Sequence, residues 1–244
     1  MATRTALVTG GAKGIGRAIA LDLAARGWNV AIAYRTSEAA ANEVVAEART
    51  HDVRGVAVRA DCSVHEQCVE LVRKVGADVG APDALVHCVG PYHRVDVLAE
   101  TPTGWREMFA TNLDSFFYCA QLVAPAMTAR KWGRIVAFSM ANAERAAAQV
   151  GVTAHYIAKL GVVVLARTLA RALAPHGITV NTIAPGFIAS GSAPDEELAK
   201  MVKNIPAGYV GKPDDAVGCA RFLMSDDAAY VTGTNVVLSG GWGL

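Results

Sequence analysis

The sequence predicts a single α/β domain over residues 1–244: a doubly wound parallel sheet of about seven strands with helices on both faces. Three observations predict it. Short apolar runs alternate with longer amphipathic stretches along the chain, the pattern of strand–helix repeats. The 244 residues suffice for one large core and not for two ordinary domains. Hydrophobic residues make up 52% against 18% charged, enough to bury a sheet on both faces and too apolar for wholesale disorder.

The elements follow in order. Ala6–Val8 is an apolar strand, then a glycine loop opens a helix over Gly14–Arg26. Trp28–Tyr34 is the second strand, followed by a helix through Glu43 and Arg49. Gly55–Arg59 is the third strand and Val64–Val75 the next helix. Asp83–Cys88 is the fourth strand, and one long amphipathic helix runs from Thr103 to Arg130. Arg134–Ser139 is the fifth strand and Ala154–Ala174 a second long helix. Ile178–Ile183 is the sixth strand. Pro213–Met224 is a helix whose proline suits the first turn, and Asn235–Leu238 is the last short strand. Residues 187–208 mix prolines and glycines with Ser190, Ser192, Asp195, Glu196, Lys200 and Lys203. That segment reads as a lid over the site rather than a domain boundary. There is no internal repeat or low-complexity tract.

Several functions are excluded at this level. Basic and acidic side chains number 23 and 22, so no net positive field exists to hold a nucleic-acid backbone or an anionic membrane. The longest apolar stretch, Leu160–Ala166, is far too short to span a bilayer. The N-terminus has no apolar segment of the signal-peptide kind. Cys62, Cys68, Cys88, Cys119 and Cys219 are odd in number and scattered, with no C-x-x-C pair. They predict reduced thiols in a cytoplasmic protein. Cys62 and His65 share a short segment without further ligands nearby in sequence, so no metal site is expected.

The strongest motif is Thr9-Gly10-Gly11-Ala12-Lys13-Gly14-Ile15-Gly16, between the first strand and the first helix. Glycines allow a tight turn and close approach of a pyrophosphate, and the helix N-terminus offers free N–H groups and a positive dipole end. The strand-loop-helix context lifts this above a chance glycine cluster. The motif resembles the cofactor loop of the short-chain dehydrogenase/reductase family, and the likeness continues along nearly the whole chain. Within that family it is similar to bacterial 3-oxoacyl-carrier-protein reductases.

The resemblance implies a Rossmann-type sheet, a nicotinamide dinucleotide, and roles for particular residues. Gly10, Lys13, Gly14, Ile15 and Gly16 would cradle the phosphates. Asp61 and Cys62 follow the third strand, where the family meets the adenine. Gly90 keeps a close backbone approach. Pro185, Gly186, Ile188 and Ser190 would line the nicotinamide. After the second strand stands Arg35 where NAD-preferring relatives carry an acid. Its planar fork suits a 2′-phosphate, and with Lys13 it predicts NADP(H).

The catalytic end departs from the family pattern. Asn112 and Lys159 match the family's asparagine and lysine. Four residues before Lys159, where the family has its proton-donating tyrosine, stands His155. Tyr156 is three residues before Lys159. A step of four residues returns to about +40° on a helix and a step of three to about −60°, so both rings lie near the Lys159 face. His155 is favoured by position and Tyr156 by chemistry. The serine position falls on Met140, with Ser139 one residue early and facing the other way along a strand. The loop 141–153 adds Asn142, Glu144 and Arg145, the last two read as a solvated pair. His87-Cys88 replaces the family's Asn-Asn, and His87 is expected to take over the hydrogen bonds of the first asparagine. Tyr92 and His93 are candidates to line the entrance and supply a proton from the other wall.

These readings point to an NADP(H)-dependent oxidoreductase reducing a 3-oxoacyl-type or related ketone, free or carrier-protein-linked, with a non-standard proton donor. The alternatives are isomerisation, dehydration or C=C reduction on the same scaffold, or a non-catalytic nucleotide-binding partner subunit. Apolar and small residues on more than one face of the helices around Asn112 and Lys159 predict a homodimer or homotetramer.

Overall fold

The computed structural model describes residues 3–191 and 195–243. Ser192 and the side chain of Asp195, both in the expected lid, lie outside the described residues, as do the extreme termini. Seven parallel strands form one sheet in the order β3-β2-β1-β4-β5-β6-β7. They are β1 (Thr5–Thr9), β2 (Asn29–Tyr34), β3 (Gly55–Arg59), β4 (Ala84–His87), β5 (Gly133–Phe138), β6 (Ile178–Pro185) and β7 (Asn235–Leu238). The helices are α1 (Gly14–Ala25), α2 (Glu38–Arg49), α3 (His65–Asp78), α4 (Pro102–Phe109), α5 (Ser115–Arg130), α6 (Thr153–Leu173), α7 (Asp195–Met201) and α8 (Pro213–Met224).

Both sheet faces are covered, which is why the strands read as continuous apolar runs instead of alternating ones. On one face α1, α2 and α8 bury Ile19, Leu23, Val44 and Leu223 against Val8, Ile32 and Val136. On the other, α3, α5 and α6 bury Leu71, Phe116, Val123 and Val162 against Leu7, Leu85 and Ile135. Among the described residues no helix is long and apolar enough to cross a membrane.

The expected helix from Thr103 to Arg130 is not one continuous α-helix. A single π-helical turn, Ala110–Asp114, separates α4 from α5. Such a turn admits one extra residue and redirects the side chains within it. It carries Asn112 inward, where the residue is fully buried. The lid segment also has structure of its own. Ile188 bridges Gly211, the Gly211 N–H donates to Phe187, and the Phe187 ring meets Trp242 edge-on at 4.7 Å. Its beginning is therefore pinned to the body of the domain.

The sheet order reverses between β1 and β4, and their carboxyl ends open a crevice there. His87, at the end of β4, spans it. Its Nδ1 lies 2.9 Å from the Thr9 hydroxyl on β1, and its Nε2 lies 3.1 Å from the Ser115 hydroxyl on α5. The ring thus ties β1 to α5 through both of its nitrogens.

Candidate active site

The glycine loop is shaped for close approach. Gly10 and Gly14 hold φ of +65° and +53°, a region that side chains disfavour. A Cβ on Gly16 would stand 2.5 Å from the Gly10 carbonyl oxygen, and one on Gly14 would stand 2.8 Å from that of Ser190. The lid's first residues thus lie directly over the loop. Lys13 and Arg35 are both exposed, and Ile15 is half-buried. Arg35 sits 3.8 Å from the Asp61 carboxylate. Partial burial alone would raise the Asp61 pKa, but two hydrogen bonds from Ser63 and the Arg35 charge hold it below the usual value. Cys62, next to it, turns its side chain into the interior. Only its backbone faces this end of the groove.

At the other end Lys159 and Asn112 converge on Gly90. A Cβ there would stand 2.5 Å from Lys159 Nζ and 2.8 Å from Asn112 Oδ1, so glycine is required. Asn112 Nδ2 donates to the carbonyls of Pro91 and Met108, both at 3.0 Å. Its Oδ1 is buried with no hydrogen-bond partner among the described residues. Lys159 donates to the Phe138 carbonyl at 2.8 Å, leaving two ammonium protons for other acceptors. Burial lowers its pKa to about 8, so it remains largely charged at neutral pH.

His155 and Tyr156 part company in the structure. The Tyr156 hydroxyl donates to the Asn142 carbonyl at 2.7 Å and accepts from the Ala147 N–H at 3.1 Å. It is committed to holding the loop after β5. His155 faces Tyr92, ring centroids 5.6 Å apart, and shares the Lys159 face of α6. Burial and the Lys159 charge push its pKa down to about 3, so the ring is neutral at pH 7. The Pro91 carbonyl beside the ring opposes this shift only in part. His155 Nδ1 is buried with no hydrogen-bond partner among the described residues. Two orphaned polar atoms, Asn112 Oδ1 and His155 Nδ1, thus occupy the carboxyl edge beside Lys159. An unpaired buried polar atom costs about 1–3 kcal/mol, which a ligand at this place would recover.

Ser139 is not brought to Lys159. Its hydroxyl donates to Asn235 Oδ1 at 2.7 Å, toward β7. Half-buried Met140 holds the next position. Glu144 pairs with Arg167 and accepts from Asn235 at 3.0 Å. It is not the partner of Arg145, as the loop sequence suggested, because the αL conformations of Asn142 and Ala146 turn this segment back over α6. His93, on the entrance segment, lies 2.7 Å from Glu100. Neither this pair nor the Tyr92–His155 contact was legible from spacing. Pro185 closes β6, and the Gly186 N–H donates to the Leu238 carbonyl at 2.9 Å, with no room for a Cβ beside Ser239. The scattered cysteines also behave differently from expectation. Cys62, Cys68 and Cys119 gather in the interior, their sulfurs all within 4.8 Å of one another.

The family described as enoyl-(acyl carrier protein) reductase matches residues 10–243. A 3-oxoacyl-[acyl-carrier-protein] reductase FabG of Staphylococcus epidermidis is 35% identical over 241 residues, covering 98% of each chain. An acetoacetyl-CoA reductase of Shinella zoogloeoides is 37% identical, again over 98% of each. Among solved structures, one from Sinorhizobium meliloti, described as a short-chain alcohol dehydrogenase, superposes with a TM-score of 0.92. It is 32% identical, and the match covers 99% of this chain and 97% of the other.

Two buried histidines give the fold an acid limit. Burial, then the Lys159 charge, lowers His87 as well as His155 from 6.5 to about 3. The unfolded chain binds more protons between those values, so stability rises with pH there and is lost as pH falls from about 6.5 toward 3. Each ring contributes about 1.4 kcal/mol per pH unit, or about 2 kcal/mol between pH 6.5 and 5. Denaturant unfolding at the two pH values should show His87→Asn losing that much less than wild type. Equal losses in both proteins would refute the assignment.

Proposed function

Since the chain belongs to the short-chain dehydrogenase/reductase family, we propose that it is an NADP(H)-dependent oxidoreductase interconverting the ketone and alcohol of a 3-oxoacyl-type or related substrate. In this reading His155 carries the proton that the family's tyrosine usually carries. The observation supporting it best is the convergence of Lys159 and Asn112 on Gly90, with His155 one helical turn before Lys159 and its Nδ1 buried without a partner among the described residues. FabG and acetoacetyl-CoA reductase act, by name, on carrier- or CoA-linked acyl groups, which favours a thioester substrate here.

The residues fit a phosphorylated dinucleotide. Gly10, Gly14, Gly16 and the N-terminus of α1 would hold its pyrophosphate. Arg35, exposed and only loosely paired with Asp61, would take the 2′-phosphate together with Lys13. Asp61 and the Cys62 backbone would flank the adenine, and Lys159 the nicotinamide ribose. Pro185, Gly186, Ile188 and Ser190 would border the nicotinamide. When bound, the reduced cofactor supplies hydride to the carbonyl carbon.

The chain's own residues manage the proton. Neutral His155 would present its unpartnered Nδ1 to the substrate oxygen. In the oxidative direction it would accept the proton of a substrate hydroxyl; in the reductive direction the ring, neutral at pH 7, would relay to the oxygen a proton drawn from Lys159 or solvent. Lys159, charged at neutral pH, favours the anionic oxygen and serves as the nearby proton reserve. Asn112 holds the Pro91 carbonyl that lies beside the imidazole. One observation favours a second reading, a nucleotide-binding subunit without turnover: neither Met140 nor Ser139 offers a hydroxyl to the substrate oxygen.

An apolar groove between α5 and α6, lined by Leu113, Phe117, Ile157, Leu160, Gly161 and Val164, would seat a second copy of the chain. Val164 is 55% exposed there. The exposed Val237 on edge strand β7 and Phe222 on α8 would extend a dimer to a tetramer.

Three measurements test this reading. NADPH should quench or shift protein fluorescence on binding, and Arg35→Ser should weaken NADPH at least tenfold while leaving NADH nearly unchanged. Absence of binding by either reduced nucleotide would end the enzymatic interpretation. With 3-oxoacyl thioesters, His155→Phe should lower kcat by about 10²–10⁴-fold at unchanged NADPH affinity. Tyr156→Phe should keep the rate within a few-fold and cost about 1 kcal/mol of stability. The opposite pattern would move the proton to Tyr156, and NADPH binding without turnover would select the subunit reading. Light scattering should give a dimer or tetramer that Val164→Glu breaks apart; a monomeric wild type would refute the interface.

A further inference from the structure

Three thiols, two of them six residues apart and the third 51 residues further on, meet under the adenosine end of the groove. Cys62 comes from the turn after β3, Cys68 from the first turns of α3, and Cys119 from the middle of α5. All three are buried, and their sulfurs lie within 4.8 Å of one another. Cys68 and Cys119 are 3.9 Å apart, and the Cys68 thiol donates to the Cys62 carbonyl at 3.3 Å. Buried cysteines ordinarily act as single small apolar residues. Here three converge on one point, though the surroundings are otherwise apolar.

The spacing has a chemical meaning. A planar three-sulfur site with metal–sulfur bonds of about 2.3 Å sets its sulfurs about 4.0 Å apart. The Cys68–Cys119 separation already matches. Thiolates select soft ions, and zinc almost always takes four ligands in structural sites, whereas among the described residues only three ligand atoms gather here. Cys62 is the most exposed of the three, at 4%, and marks the route in through the turn 61–64.

We infer that Cys62, Cys68 and Cys119 form a trigonal three-thiolate site for a soft d10 cation, Cu(I) above others. On loading, each thiol gives its proton to solvent as its sulfur bonds the metal, so one ion releases up to three protons and no electron is transferred. The inference stands apart from the proposed reaction, since none of its ligands touches Lys159 or His155.

The test uses the full chain, reduced and free of oxygen, titrated with Cu(I) held by a chromophoric chelator. One ion per chain should be withdrawn, and X-ray absorption should show three sulfurs at about 2.3 Å. Cys119→Ala should weaken binding at least tenfold, while Cys219→Ala should leave it unchanged. Failure to withdraw copper would overturn the site, as would full retention of binding in Cys119→Ala. Should that variant fail to fold, the wild-type absorption spectrum decides: a shell of two sulfurs, or of nitrogen and oxygen, refutes it.

Discussion

The candidate site depends on one buried imidazole. A parallel sheet leaves its crevice where strand order reverses, and there β1 and β4 are joined at their carboxyl ends by His87. The ring spends both nitrogens, one on the Thr9 hydroxyl and one on the Ser115 hydroxyl, and Ser115 donates in turn to the Thr111 carbonyl at 2.7 Å. That chain of bonds runs from the strand feeding the glycine loop to the π-helical turn carrying Asn112. Its members are buried, so each bond is made in a low-dielectric interior where an unmade one is costly. Water has no access to replace a lost partner. The ring must stay neutral to serve, and burial together with the Lys159 charge keeps it so.

From that tie the rest of the site follows by short steps. The π turn brings Asn112 against Gly90, and Gly90 has no side chain because Asn112 and Lys159 fill the space. Asn112 secures the Pro91 carbonyl, which also lies beside the His155 ring. Lys159 reaches the same point from α6 and is steadied by the Phe138 carbonyl at the end of β5. Four elements therefore meet within a few ångströms, and their polar atoms are satisfied except where a ligand would arrive. Asn112 Oδ1 and His155 Nδ1 are left unpaired among the described residues, as Thr179 Oγ1 is on β6, but only these two lie together beside Lys159, where a ligand would recover the cost.

Much of this was legible in the residues, and the limits are physical. Strands buried on both faces announce themselves as apolar runs, so all seven were found, with ends displaced by a residue or two. The glycine loop was legible because its spacing has a steric cause. The π turn was not, since one inserted residue barely disturbs the hydrophobic period of a long helix. The alternation of a strand correctly separated Ser139 from Met140. Helix geometry placed His155 and Tyr156 both near Lys159. It could not show that the tyrosine hydroxyl would be consumed by the backbone of residues 142 and 147. The thiol cluster joins Cys68 to a residue 51 positions away, and no local pattern encodes that contact.

The two departures at the catalytic end are linked by this geometry. A side chain that anchors the loop after β5 through two hydrogen bonds is not free to move a proton, so Tyr156 is spent on architecture. The loop it anchors also carries Glu144, which binds Arg167 and Asn235, and Asn235 in turn accepts from Ser139. The hydroxyls of Ser139 and Tyr156 are thus parts of one framework that closes the β7 side of the site. What remains facing Lys159 is an imidazole, shorter than a phenol and neutral in its buried setting. An imidazole ordinarily exchanges protons near neutrality, and here burial and then the Lys159 charge hold it in the neutral form. The changed residues therefore form a consistent set: an imidazole stands four residues before Lys159, and the Ser139 and Tyr156 hydroxyls hold the wall.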